Sequence, residues 1–518
     1  MFQSTNYTDP RRVSLREALR HPVPEPGQLW TVCNFPPLTT LNPSMSFEKC
    51  LCTILEQFGF PPNCTGDIDF NIRLNGKFLE LFHGPTMSFK DVGCRVAIRV
   101  YHLLFPGIPV LAATSGDTGG AVADACEKEG VRALILYPKD RISRVQEAQM
   151  VGRRGIASLA VDGDFDACQD LVKRALSTTP SRFLSCNSVS LARLLPQVAM
   201  YAWLSLRCPE TSVTIPSGNM GNATSFLYAR QMGCRLGRLR VATNANDAAA
   251  RFFRKLDHVY TPKKTVPTVS SAMDVGAPSN IVRMFSLWRP GDDAVPVYDS
   301  ARVSTVATQY NVCPHTAVGC IAAEGTGDVV VATASPLKFV QTTMAAVPCD
   351  ARLLTPTRLL FTAYRTVLLV GMPGVGKSTI ARMLGGGDLD NELDFSQPED
   401  AFLNQEQARL AALCDRIDAG AEPRSIVATG GSVVYRGGAE RIRTVDALVV
   451  WLDADVGMLG KRCGDLSARG VVGGSNLATL FKERAPLYRQ CADIVIQTDN
   501  RDPGEVARIV SSYVNLHP

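Results

Sequence analysis

No apolar run in the 518-residue chain approaches the ~20 residues that a membrane-spanning helix needs. The longest, such as ALVVWL at 447–452, have the length of a buried strand. The opening MFQSTNYTDPRRVSLREAL has no apolar core and carries Asp9 and Glu17, so it reads as mature protein rather than a signal peptide. Blocks of like charge are missing as well. The 54 basic and 49 acidic residues are spread along the chain to a net charge of +5, which argues against a nucleic-acid-binding tail. The 16 cysteines include no C-x-x-C pair, Cys50 and Cys52 coming nearest, and the six histidines are dispersed. A metal-ligand cluster or a disulfide framework is therefore not expected. Reduced thiols and a cytoplasmic location, with no membrane or nucleic-acid partner, are the simplest reading.

What is present suits a globular protein with sizeable cores: 46% hydrophobic and 20% charged residues. The length predicts two or three domains. One local pattern recurs without an internal repeat: an apolar run, a glycine-rich turn, then a helical stretch. It occurs at 110–130, 213–233 and 366–385. Alternation of this kind predicts α/β architecture with parallel sheets. Gly233 and Gly385 suit helix C-caps. The stretch 344–365, with Pro348 and Pro356, reads as a join. The expected division is 1–350 in two subdomains, a linker at 351–363, and a second domain at 364–518.

In the C-terminal part, Gly371 to Ser378 (GMPGVGKS) fits G-x-x-x-x-G-K-[ST], with a strand-like run before it and a helical stretch after. In such a loop backbone N–H groups cradle phosphate oxygens, and the helix N-terminus adds positive potential. Gly371, Gly374, Gly376, Lys377, Ser378 and Thr379 are the nucleotide-binding candidates. Lys377 would reach the outer phosphates and Ser378 would sit on Mg²⁺. With IVATGGSVVY (426–435), VVWLDAD (449–455), ERAPLYRQCADIVI (483–496) and RDPGEVARIV (501–510), this region resembles shikimate kinase. The resemblance implies a P-loop kinase-like parallel α/β domain using ATP and Mg²⁺. It assigns Arg484, Gly430, Gly431 and Arg409 to the acceptor, Arg469 to the nucleotide lid, and Asp390 beside Ser378 to the metal. Two departures stand out. The pair Asp388-Leu389-Asp390 follows Lys377 at a short gap, and Ser432 replaces the family's third glycine. The acceptor stays open between shikimate and homoserine, and a nucleotide-binding regulatory module is the alternative.

In the N-terminal part, Lys90 in ELFHGPTMSFKD follows an aromatic-rich turn and opens a helical stretch. A helix N-terminus and an apolar setting both disfavour the ammonium form, and a lysine of lowered pKa suits Schiff-base chemistry. The turn Ser217-Gly218-Asn219-Met220-Gly221-Asn222 offers several N–H groups to one anion. Thr114-Ser115-Gly116-Asp117-Thr118-Gly119 is a second hydroxyl-rich turn. These segments, with NSVSLARLLPQVAMYAW (187–203), VATNANDAAARFF (241–253), TVSSAMDVGAPSNIVRM (268–284) and CPHTAVGCIAA (313–323), resemble threonine synthase over nearly all of residues 1–345.

That resemblance implies a type II pyridoxal-phosphate fold. Lys90 would form the Schiff base with pyridoxal 5′-phosphate and then act as mobile acid and base. Gly218, Asn219, Met220, Gly221 and Asn222 would hold the cofactor phosphate, and Thr333 would face the pyridine nitrogen. Ser115, Asp117, Thr118, Asn187, Arg193 and Lys338 would bind substrate. Ser335 stands where the family carries a histidine. The implied reaction takes O-phospho-L-homoserine and water to L-threonine and phosphate, with a phospholyase releasing 2-oxobutyrate as the alternative. Small-molecule substrates and a monomer or small homo-oligomer complete the expectation.

Overall fold

Each of the three strand–turn–helix patterns folds as its residues dictate. In the computed structural model Val110–Ala113 leads into the helix Asp117–Glu129, Val213–Pro216 into Gly221–Gln231, and Thr366–Val370 into Lys377–Met383. All three strands are buried along their whole length. Gly130, Gly233 and Gly385 end these helices with φ of 66°, 90° and 72°, the left-handed conformation that glycine adopts at low cost.

The structure describes residues 1–66, 70–178, 182–254, 260–339, 352–353, 366–422, 425–463, 476–499 and 501–514. They divide into two compact units: Met1–Ile156 with Gly163–Val347, and Ala157–Asp162 with Pro348–Pro518. The expected linker lies outside the described residues apart from Arg352 and Leu353. No described helix is long and apolar enough to cross a membrane. The cysteines among the described residues are free thiols.

The first unit contains a six-stranded sheet in the order Asp293–Pro296, Leu239–Thr243, Val213–Pro216, Val329–Ala332, Phe78–Glu80, Arg73–Asn75. Neighbours are parallel except the last pair. Val110–Ala113 lies in a second sheet, parallel to Ala133–Pro138 and to Leu184–Ser185. The helix Lys90–Leu104 packs on Asp117–Glu129. The same helix passes close to Leu191–Leu194, which Gly93 permits, because a Cβ at that position would stand 2.5 Å from the Arg193 carbonyl oxygen. The turns at 114–117 and 217–220 leave the carboxyl ends of parallel strands, where α/β sheets place their ligands.

The second unit holds five parallel strands in the order Gly387–Asp388, Ser425–Ala428, Thr366–Val370, Ala447–Asp453, Ile494–Gln497. The glycine loop leaves the central strand, with one neighbour from each side of the chain's winding. The acidic pair begins inside a two-residue strand, Gly387–Asp388, and a single turn, Leu389–Glu392, follows at once.

Candidate active sites

One cavity of the first unit is lined by Lys90, Ser115, Asp117, Thr118, Asn187, Arg193, Gly218, Asn219, Met220, Gly221, Asn222 and Thr333. Residues spread from 90 to 333 thus meet at one place. Lys338 does not line it. Its side chain is fully buried behind Asp117, with Nζ 2.8 Å from Asp117 Oδ1 and 2.9 Å from the Thr86 carbonyl oxygen. Lys338, expected to bind substrate, pairs with Asp117 in the structure. Ser335 accepts from the Leu337 N–H and starts the turn Pro336–Lys338 that carries this lysine.

Asp117 joins the two lysines. Its Oδ2 lies 3.2 Å from Lys90 Nζ, and the Gln146 amide donates to Oδ1 at 2.9 Å. Burial alone would raise the Asp117 carboxyl, but Lys338, Lys90 and His315 outweigh it and hold it well below its ordinary value. Lys90 is pushed down, chiefly by burial. Asp117 opposes that shift, while Lys338 and Arg193 add to it. The carboxylate therefore orients Nζ without fully cancelling the depression that makes a neutral amine accessible.

The loop 217–220 is shaped for an anion. Met220 has φ 62°, and no side chain caps the helix Gly221–Gln231 that follows. Its first N–H groups are thus open to a phosphate. A Cβ on Gly218 would stand 2.8 Å from Met273 Cα, so the backbone passes closer than a side chain allows. Asn219 donates to Ser188 Oγ at 3.0 Å, and Asn222 accepts from the Tyr201 hydroxyl while its buried Nδ2 has no partner. Thr333 sits beside Cys313, its hydroxyl 3.9 Å from Sγ. An uncapped helix start, an orphaned amide and a lysine of lowered pKa fit pyridoxal 5′-phosphate. In the second turn the Thr114 hydroxyl accepts from Gly116 and Gly119, leaving Ser115 and Thr118 to face the cavity. Asn187 spends its amide on Ala113, at 2.6 and 2.9 Å, and Arg193 donates to the Cys186 carbonyl at 2.7 Å.

Wall residues not singled out from sequence include the polar Ser188, Gln197 and His315. His315 accepts from the Ala272 N–H at 3.0 Å through Nε2, and its buried Nδ1 has no partner. Burial, with Lys90 and Lys338 nearby, pushes it down to about 4, so it is neutral near pH 7. Its one sequence signal was a histidine at the start of the helix Pro314–Ala322.

In the second unit the glycine loop carries φ of 144°, 78° and 105° at Gly371, Gly374 and Gly376. Side chains at the first two would strike the Leu452 carbonyl and Cys463 Sγ. Lys377 Nζ donates to the Gly371 and Met372 carbonyls at 2.8 and 3.1 Å. Ser378 is half-buried and Thr379 exposed on the first turn. Asp390, Gly430, Gly431 and Arg484 meet around a residue the sequence reading passed over, Glu406. Arg409, expected as an acceptor residue, is half-buried three positions further on, and it is Glu406 that the helix Glu399–Asp418 presents to Gly430. Arg469 lies outside the described residues. Among those residues no group of three or more His, Cys, Asp or Glu is arranged to hold a metal ion. Mg²⁺ in phosphate-transfer sites needs only one or two carboxylates beside the phosphates.

Residues 78–334 match the family model for pyridoxal-phosphate dependent enzymes, and residues 394–515 that for shikimate kinase, a match beginning beyond the glycine loop. Threonine synthase of Escherichia coli (strain K12) is 37% identical over 297 residues, 52% of this chain and 69% of that protein. The Serratia marcescens threonine synthase is 38% identical over 289 residues, 50% of this chain and 67% of that one. The crystal structure of the Escherichia coli enzyme superposes with a TM-score of 0.60 at 30% identity, covering 65% of this chain and 89% of that one. The chain belongs to the threonine synthase family and joins to it a C-terminal shikimate kinase-like domain.

Proposed function

We propose that the first unit converts O-phospho-L-homoserine and water to L-threonine and phosphate. The observation that carries this reading is Lys90, half-buried at the start of a helix and held by Asp117 in a cavity bordered by an uncapped, N–H-rich turn. When bound there, pyridoxal phosphate supplies an electron sink for charge developing on a substrate carbon. The chain's residues do the rest. Gly218 to Asn222 take the cofactor phosphate, and Thr333 faces its ring. Ser115, Thr118 and Arg193 receive the anionic groups of the substrate, with Asn187 shaping the wall. Lys90 Nζ removes and returns protons at the substrate α- and β-carbons, and burial of the site keeps bulk water from intercepting them. Asp117, backed by Lys338, sets the direction of Nζ.

Residues 1–350 form the synthase part in this reading, and 364–518 a kinase part. In the latter Gly371, Gly374, Gly376, Lys377, Ser378 and Thr379 hold ATP, and Ser378 with Asp390 holds Mg²⁺. Both act on small molecules, in the cytoplasm, as a monomer or small homo-oligomer; the free thiols support a reducing compartment. The test is incubation of the purified full chain with O-phospho-L-homoserine, with phosphate and amino-acid products measured together. Equal amounts of phosphate and L-threonine, both lost in Lys90→Ala, are expected. Release of 2-oxobutyrate in place of threonine would replace this reading with a phospholyase.

A further inference from the structure

Among the described residues of the second unit, three buried carboxylate oxygens have no hydrogen-bond partner. Both carboxylate oxygens of Glu406, a residue with no exposed surface, lack a hydrogen-bond partner, and so does Oδ1 of Asp390. The Ser432 hydroxyl stands beside Glu406 without hydrogen-bond geometry. The two carboxylates converge on Gly430. A Cβ there would stand 2.7 Å from Asp390 Oδ1 and would collide with Glu406 Oε1.

Two cations, Arg484 and Lys377, stand close to these carboxylates. Arg484, 1% exposed, donates through Nε to the Tyr435 hydroxyl at 3.0 Å, and its Nη1 lies 3.3 Å from where a Gly431 Cβ would stand. Lys377 belongs to the phosphate loop. The acceptor side thus presents one guanidinium and two carboxylates. A hydroxyl would give Glu406 a hydrogen bond and leave its charge uncompensated in a buried site. An ammonium brings both a charge and three N–H donors.

We propose that the C-terminal unit phosphorylates the primary hydroxyl of an amino acid, with the carboxylate on Arg484, the ammonium on Glu406 and the hydroxyl against Asp390. The hydroxyl oxygen forms a bond to the γ-phosphorus of ATP, the bond from that phosphorus to the ADP oxygen breaks, and the hydroxyl proton leaves through Asp390. This rests on reading the unit as a kinase. It places the unit in the class of reaction that must supply the first unit's substrate, itself the phosphate ester of a hydroxy amino acid.

The full chain carrying Lys90→Ala, so that any phosphorylated amino acid survives, is incubated with ATP and Mg²⁺. L-homoserine, 4-hydroxybutyrate and shikimate are supplied separately, and products are identified by phosphorus NMR. Turnover of L-homoserine alone is expected. Glu406→Gln should raise the KM for L-homoserine by about 10-fold or more, with ATP binding by calorimetry unchanged as the check on folding. Equal or better turnover of shikimate or 4-hydroxybutyrate overturns the proposal. So does an unchanged KM in Glu406→Gln, or ATP that is bound while no amino acid is phosphorylated. Failure to bind ATP at all overturns it together with the kinase reading.

Discussion

At the scale of the residue, charges buried in pairs decide the chemistry of both units. Lys338 has no exposed surface and leans on Asp117. Its replacement by methionine removes a cation that pushes Lys90 down, so the amine should keep its proton to higher pH. We expect the acid limb of the synthase pH profile to move upward, with kcat lowered about 10-fold as Nζ loses its orientation. Breaking the pair should also destabilise the first unit by about 3 kcal/mol. An unmoved acid limb would reduce Lys338 to packing alone. Glu406 makes the opposite kind of prediction. Its folded carboxyl sits at about 7, against 4.5 ordinarily. Between these values the folded state keeps a proton that the unfolded chain has released, so stability falls as pH rises through that window. Glu406→Gln should therefore raise the second unit's stability above pH 7 by about 1–3 kcal/mol, read by denaturant unfolding at pH 5 and pH 8. No gain at pH 8 would mean that the carboxylate is compensated after all.

At the scale of the element, the glycine turns between strand and helix were legible in advance. A glycine between an apolar run and a helical stretch is a local signal, and left-handed Gly371, Gly374 and Gly376 follow directly from it. Gly218 tests how closely the cofactor turn is fitted. Its substitution by alanine sets a methyl 2.8 Å from Met273 Cα and 3.1 Å from Val275 Cγ2, and neither neighbour is a flexible chain end. We expect cofactor affinity to drop about 10-fold or more, measured by visible absorbance during dialysis, with the secondary structure unchanged. The acidic element was less legible. Asp390 owes its place to a strand of two residues, Gly387–Asp388, whose pairing with Val427 and Ala428 no local pattern announces. Glu406 was not legible for a related reason. The face of the helix Glu399–Asp418 that turns inward is settled by packing against Gly438–Thr444 and the turn Leu389–Glu392, and Glu406 approaches Gly430 from it.

At the scale of the whole molecule, the chain holds two compact units, one family match falling in the first and the other in the second. Scanning calorimetry of the full chain should show two transitions. Pyridoxal phosphate should raise one and ATP with Mg²⁺ the other, each by about 2.7 kcal/mol at a hundredfold excess over Kd. A single transition shifted by both ligands would contradict independent units.

By itself the sequence determined the fold class, the two glycine turns that precede helices and the lysine that opens its helix. Each is a contiguous pattern whose meaning comes from backbone conformation and the helix start. Only the tertiary structure decided that Lys338 reaches back to Thr86, 252 residues away, and backs Asp117 rather than facing the cavity. It alone placed His315 on the cavity wall and brought Glu406 and Asp390 together at Gly430. The physical reason is common to all three. The energy of a charge depends on its burial and on its distance from other charges, and neither is written in the residues on either side of it.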